Sequence, residues 1–193
     1  MDKPQLFNAV NASLTDLVKR ITTEQLTLVM PEYATYEPPT DVRKFLNILC
    51  YENMCVPKVL AGERDLANNQ EFKEDLLGDD FQASYARYAA EAEKAVNEHD
   101  DWQRVVQISY GEFPAESYIT DIVIQRATSL VDLAGMIGAK PVMDEIVTKQ
   151  VWALADQYAP TLREYGVFPA PIDVPADAPL IDRLQGLMGR KPV

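Results

Sequence analysis

The spacing of apolar residues along the chain predicts a protein built mainly from helices. Apolar side chains recur every three or four residues over most of the sequence, which is the period expected when one helix face is buried. Only one stretch, "RVVQISY" at 104–110, is typical of a short strand. The predicted helices span about 4–21, 41–61, 80–98, 115–137, 142–165 and 179–188.

Proline and capping residues indicate where two of these helices begin, bend or end. Thr40 or Asp41 can cap the second helix, because both side chains accept hydrogen bonds from free backbone N–H groups. Pro57 is expected to end or kink that helix before Gly62, because proline cannot donate a backbone hydrogen bond. Pro160 is expected to kink or break the fifth helix for the same reason.

The helical segments together predict an all-α fold. Four long helices with lengthy connections favour a four-helix bundle with accessory helices and at most one short strand pair. The chain has 193 residues, and we expect one domain, 1–193, with a Pro-rich C-terminal extension at about 166–193. The content of 8 Gly and 13 Pro also favours helices joined by proline-marked loops.

The fourth predicted helix carries polar residues within an otherwise apolar sequence. Gln125, Ser129 and Asp132 are spaced by four and then three residues, so they should lie near one helix face. Helix bundles often present metal ligands at such spacings. Gln and Ser are nevertheless poor ligands for a transition metal, so this face needs another explanation.

The charge of the chain excludes some classes of partner. The formal net charge is −12, from 30 acidic and 18 basic residues, and no Lys/Arg cluster is present. Binding to nucleic acid or to an anionic membrane requires a basic patch, so neither partner is expected. No segment reaches the ~18 uninterrupted apolar residues of a membrane span, and the N-terminal residues lack the apolar stretch of a signal peptide.

The two cysteines and the single histidine offer little support for catalysis. Cys50 and Cys55 should lie on different faces of the second helix, so we expect no disulfide and a reduced, cytoplasmic setting. Nothing basic adjoins Cys50 to lower the pKa of its thiol. His99 is expected at an exposed helix end, and no nucleophile-elbow or glycine-rich phosphate motif is present.

Three stretches, taken in order, resemble one family of helical bundles. "PPTDVRKFLNIL" resembles the "W-T-V-R-D-L-L-A-H-L" that opens the second helix of DinB/YfiT-like proteins. "YGEFPAESYITDIVIQRATSLVDLAGMIGAKP" resembles "G-x-x-P-A-x-x-Y … H-x-W-D-L-A-x-x-x-G" of the mycothiol-dependent maleylpyruvate isomerase N-terminal-domain branch, which is actinobacterial. "APLIDRLQGLMGRKP" resembles the closing "A-x-x-x-D-R-L-L-x-x-x-G-R-x-P" of that branch.

The resemblance implies a four-helix bundle whose core usually holds a divalent metal such as zinc or nickel. In the family, one ligand is a His on the second helix, and two more are a Glu/His or His/His pair four residues apart on a later helix. These positions correspond to Ile48, Gln125 and Ser129 in this chain. Ile has no lone pair, and Gln and Ser bind such metals weakly, so the ligand set is lost although the surrounding motifs remain.

The first hypothesis is therefore a metal-free protein that binds a small molecule or a protein partner. Ile48, Gln125 and Ser129 are predicted to converge in a degenerate metal site, where Gln125 and Ser129 hydrogen-bond each other. Asp132 is expected to be a satisfied polar group or a cap for a neighbouring helix. An alternative is a hard cation held by carboxylates such as Glu52 and Asp132.

The resemblance also implies a second hypothesis, a metal- or mycothiol-dependent isomerase or S-transferase. Its partner would be a low-molecular-weight thiol. The isomerases of the family carry a further C-terminal domain that contributes to catalysis, which is not found within these 193 residues and lowers the expectation of that activity. A third interpretation is a structural module, because bundles of this family often form homodimers.

Overall fold

The computed structural model describes residues 1–30, 40–64, 74–108 and 111–192, and within them it confirms the predicted all-α fold with one short strand pair. The Pro-rich segment 31–39 and the last two residues of the predicted strand, 109–110, lie outside the described residues. The elements are α1 (Lys3–Val18), a 3-10 helix (Thr23–Thr27), α2 (Val42–Ala61), α3 (Phe81–Glu98), β1 (Val105–Ile108), β2 (Gly111–Pro114), α4 (Ala115–Met136), α5 (Glu145–Glu164) and α6 (Leu180–Leu187).

Aspartate side chains begin four of the long helices. The carboxylates of Asp2, Asp41, Asp80 and Asp144 each accept a hydrogen bond from a backbone N–H group in the first turn of the helix that follows. These N–H groups have no partner inside the helix, and a negative charge also interacts favourably with the helix dipole there. The start of α2 is therefore set by Asp41, one of the two capping residues predicted from the sequence.

Of the two outcomes predicted for Pro57, an end or a kink of α2, the first is wrong. The helix continues through Pro57 to Ala61 and ends at Gly62, whose φ of 84° is in the left-handed region. The missing N–H group of Pro57 costs only the one hydrogen bond that the Asn53 carbonyl would accept, and the apolar residues on either side keep both halves of α2 in the core. Pro160 likewise lies inside α5, which continues to Glu164.

Four helices form the bundle, and α4 is its most buried member. Helix α1 packs against α3 and α4, and α2 packs against α3 and α4. The buried residues of the N-terminal half of α2 share a core cluster with the C-terminal half of α4, and the remaining halves share the other cluster. The two helices therefore run antiparallel, which determines which of their residues lie opposite each other.

The remaining elements pack around the four helices of the bundle. Strands β1 and β2 form an antiparallel pair in which Val106, opposite Phe113, is buried in the core. Helix α5 packs against α4, α1 and α6. The described part of the chain has no helix that is both long enough and apolar enough to cross a membrane.

Candidate functional site between α2 and α4

The centre of the candidate site is a charged side chain in the interior of the bundle. Arg126 on α4 is completely buried. Its Nη1 atom donates to Oε2 of Glu52 over 3.1 Å, and its Nη2 atom donates to Oδ1 of Asn53 over 2.8 Å. Both partners lie on α2, so the guanidinium group joins the two facing helices. A buried charge without such partners would cost far more than the helix packing could offset.

Glu52 accepts a further hydrogen bond from the side-chain amide of Gln125. One carboxylate oxygen thus faces Gln125 and the other faces Arg126. The exposed fraction of the Glu52 side chain is 21%, yet burial still raises the pKa of its carboxyl, against the opposing effects of Arg126 and Gln125. The carboxylate therefore lies at the edge of the bundle with both oxygens already engaged.

The three positions predicted from the resemblance have different surroundings. Gln125 and Ile48 are half-buried, whereas Ser129 is buried. Gln125 donates to Glu52 and not to Ser129, so the predicted Gln125–Ser129 pair is replaced by a contact between helices. Among the described residues, no hydrogen bond is made by the Ser129 hydroxyl.

The convergence of Ile48 with Gln125 and Ser129 stays a prediction, and the antiparallel packing supports it. Glu52 lies opposite Gln125. Ile48 is one turn before Glu52 on α2, and Ser129 is one turn after Gln125 on α4. In antiparallel helices these two steps run in the same direction, so Ile48 is expected opposite Ser129.

Asp132, the third polar residue of this helix face, belongs to a separate contact. Its carboxylate accepts two hydrogen bonds from Arg190, at 2.9 Å from Nε and 3.0 Å from Nη2, and both side chains are buried. Nη1 of Arg190 donates to the carbonyl groups of Val167 and Met188. Burial raises the pKa of Asp132, and Arg190 opposes this rise. Of the two roles predicted for Asp132, a satisfied polar group or a helix cap, these contacts show the first, and they fasten the C-terminal segment to α4.

The residues at the α2–α4 site do not fit a transition metal. Such a site needs about three protein donors, usually His, Cys or carboxylate. The described residues contain no group of three or more His, Cys, Asp and Glu side chains positioned to hold a metal ion. The two carboxylates considered for a hard cation, Glu52 and Asp132, are each paired with a different arginine. His99 ends α3, where its ring packs edge-on against Trp102 at 4.9 Å.

Sequence reasoning missed the two arginines that organise this helix. Arg126 stands inside the apolar run "DIVIQRATSLVDLAG", and a charge at such a position has to find a buried partner. That pattern was a usable signal for Arg126, but it did not identify Glu52, which lies 74 residues earlier. Arg190 was recognised from the sequence only as one position of a motif that resembles the family, with no structural role assigned to it.

Cys50 lies close to this network, and we expect its thiol to be unreactive in the folded protein. It is completely buried, and burial raises its pKa to about 12, so almost no thiolate exists near neutral pH. Neither cysteine forms a disulfide, and Cys55 is half-buried. Iodoacetamide at pH 8 should leave Cys50 unmodified by mass spectrometry, whereas the urea-unfolded chain should react at both thiols. Rapid labelling of Cys50 in the native protein would contradict this burial.

The fold resembles that of solved maleylpyruvate isomerases. No family model matches the chain, and no curated protein matches it by sequence. The chain is similar to a histidine-to-alanine mutant of mycothiol-dependent maleylpyruvate isomerase, with a TM-score of 0.61 and 14% identity over 82% of this chain and 70% of that chain. For a second structure of mycothiol-dependent maleylpyruvate isomerase, the TM-score is 0.58 and the identity 12% over the same shares. The chain thus has the helical-bundle fold of these two structures, which is the fold that the sequence motifs predicted.

Proposed function

We propose that this chain is a metal-independent binding protein whose α2–α4 site recognises a small polar molecule by hydrogen bonds. The observation that carries the proposal is the engagement of Glu52 by Gln125 and Arg126. In this arrangement a guanidinium group supplies the positive charge next to the carboxylate, and no donor set for a transition metal remains at the positions of the degenerate site.

The groups at the edge of this site are suited to binding a ligand. Glu52 is partly exposed and can accept hydrogen bonds, and Gln125 is half-buried with an amide oxygen that accepts and an amide nitrogen that donates. The Ser129 hydroxyl adds a group that can both donate and accept a hydrogen bond. Sites for small molecules commonly combine apolar walls with a few such polar groups, and Ile48 would contribute to the wall.

Low-molecular-weight thiols are the first class of ligand to test, because the similar structures are named for their dependence on mycothiol. We expect mycothiol or a related thiol to raise the melting temperature of the wild-type protein by mass action. The paired changes Gln125→Leu and Ser129→Ala should abolish this shift. Gln157→Ala, on the exposed side of α5, is the matched control and should retain it.

Metal independence is tested separately by elemental analysis of protein purified without a chelator. We expect less than stoichiometric zinc and nickel, and the thermal shift with a thiol should persist in the presence of EDTA. Stoichiometric metal that is lost in Gln125→Leu would contradict the proposal. If no thiol and no other small polar compound tested raises the melting temperature, the binding function is contradicted.

The similar fold favours one second candidate, a thiol-dependent isomerase or S-transferase. Turnover of a thiol conjugate by the wild-type protein, lost in Gln125→Leu but kept in Gln157→Ala, would support that activity over simple binding. Light scattering of the same preparations would show whether the chain forms the homodimer that the family resemblance implies.

A further inference from the structure

A cavity of about 270 Å³ lies between α1, α4 and α5. Its walls are mainly apolar, and the apolar side chains that contribute most to them are Leu6 from α1, Ile119 and Val123 from α4, and Ala153 and Leu154 from α5. Leu6, Ile119 and Val123 belong to the buried core, so the inner wall of the cavity is part of the interior of the bundle. Ala153 is exposed and contributes only a methyl group, which leaves space on the side of α5.

This cavity is separate from the α2–α4 site. An α-helix has 3.6 residues per turn, so Val123 and Gln125, two positions apart, lie on opposite sides of α4. Gln125 contacts Glu52 on α2, whereas Val123 lines the cavity together with α1 and α5. A ligand in the cavity would therefore not depend on the contacts of the α2–α4 site.

Three polar side chains also line the cavity, namely Lys3, Thr120 and Gln150. Nζ of Lys3 donates a hydrogen bond to Oγ1 of Thr120 over 3.1 Å and forms an ion pair with Oε1 of Glu116 over 2.7 Å. Gln150 is half-buried, and its amide can both donate and accept hydrogen bonds. Apolar walls with a few polar groups are the usual form of a site for a small molecule.

The formal charges beside the cavity favour an uncharged ligand. Glu116 neutralises the ammonium group of Lys3, and the exposed carboxylate of Asp2, which also lines the cavity, already accepts a hydrogen bond from the backbone N–H of Gln5. Two carboxylates and one ammonium group leave an excess of negative charge, which disfavours an anion. A cation would have to leave water for apolar walls next to the ammonium group of Lys3, which is costly.

The volume of the cavity limits the size of the ligand. An apolar cavity of about 150 Å³ can bind benzene, so the larger cavity found here has room for one aromatic ring with a short chain. We infer that the cavity between α1, α4 and α5 binds a small uncharged molecule that has an apolar or aromatic body and a single hydroxyl or amide group. The body contacts Leu6, Val123 and Leu154, and the polar group forms hydrogen bonds with Thr120 and Gln150.

Three compounds with the same body and different charges test the inference by NMR titration of the wild-type protein. 3-Phenylpropan-1-ol is neutral, 3-phenylpropionate is an anion and 3-phenylpropylammonium is a cation. We expect the alcohol to shift the backbone amide signals of Leu6, Thr120 and Leu154, with a dissociation constant of about a millimolar, the affinity typical of about ten non-hydrogen atoms. The signals of Gln125 and Ser129 should not move, which separates this cavity from the α2–α4 site.

The two charged compounds should bind at least about tenfold more weakly than the alcohol, because each would bury a charge without a partner. The inference is overturned if the alcohol does not shift the signals around the cavity. It is equally overturned if either charged compound binds as tightly as the alcohol.

Filling the cavity gives an independent test. Ala153→Trp places a large side chain at an exposed position of the cavity wall, so the protein should remain folded and the affinity for the alcohol should fall at least about tenfold. Ala153→Leu should weaken binding in the same direction with a smaller side chain. Gln157→Trp, one turn further along the exposed side of α5, is the matched control and should bind like the wild type. Unchanged affinity in both Ala153 variants would overturn the inference.

Discussion

Asp132→Ala is expected to lower the free energy of unfolding by about 3–5 kcal/mol, the range found when one partner of a buried ion pair is removed. The reason is that Arg190 would remain charged in the core with only two carbonyl groups to accept its hydrogen bonds. The exposed side-chain fractions of 3% for Arg190 and 1% for Asp132 leave little solvent to compensate for the loss. Urea unfolding monitored by circular dichroism measures the effect.

Two further variants test whether loss of the Asp132–Arg190 ion pair causes the lower stability of Asp132→Ala. Asp156→Ala removes an exposed carboxylate from α5 and should change stability by no more than about 0.5 kcal/mol. The double change Asp132→Leu with Arg190→Met should recover most of the loss, because it removes both charges together. A double variant as unstable as Asp132→Ala, or a single variant close to the wild type, would contradict this role.

Arg190→Met should show a characteristic pH dependence. Without Arg190, only the effect of burial remains on Asp132, so its pKa in the folded protein should be raised further above the ordinary value of 3.8. The folded state then holds a proton that the unfolded state releases, so stability falls as pH rises from about 4 through the raised pKa. The difference between this variant and the wild type should therefore shrink as the pH is lowered from 7 towards 4.

The largest gain in stability on adding a ligand is expected from a rebuilt metal site. The changes are Ile48→His, Gln125→Glu and Ser129→His. If these positions converge as the antiparallel packing of α2 and α4 indicates, the variant presents three donors to one ion. Zinc or nickel should then stabilise it by about 4 kcal/mol at a metal concentration 1,000 times the dissociation constant. Thermal melting with and without metal, together with elemental analysis, measures this result.

The carboxylate introduced at position 125 increases the difference in stability between the metal-free and the metal-bound variant. It would lie next to Glu52 and lose the hydrogen bond that Gln125 donates, so the metal-free variant should be less stable than the wild type. A bound cation relieves this repulsion. A matched variant with Ser129→Ala in place of the histidine keeps the repulsion but lacks the third donor, and it should gain much less stability from metal. A folded triple variant that takes up no metal would contradict the convergence of the three positions.

Local chemistry allowed much of the fold to be predicted from the sequence. The apolar period predicted the helices, and Asp41 was one of two predicted caps because a carboxylate next to free N–H groups acts within a few residues. Pro57 shows a limit of local reasoning, because α2 continues past it to Ala61. The cost of a proline inside a helix is about 3 kcal/mol, and tertiary packing of both helix halves can exceed it.

The role of the polar face of α4 was decided by the tertiary structure. The sequence by itself determined that Gln125, Ser129 and Asp132 share a helix face and that the usual metal ligands are absent there. It did not determine that Gln125 contacts Glu52 or that Asp132 contacts Arg190, 58 residues further along the chain. A buried charge requires a partner, but the sequence does not show which distant residue provides it, because that depends on how the helices pack.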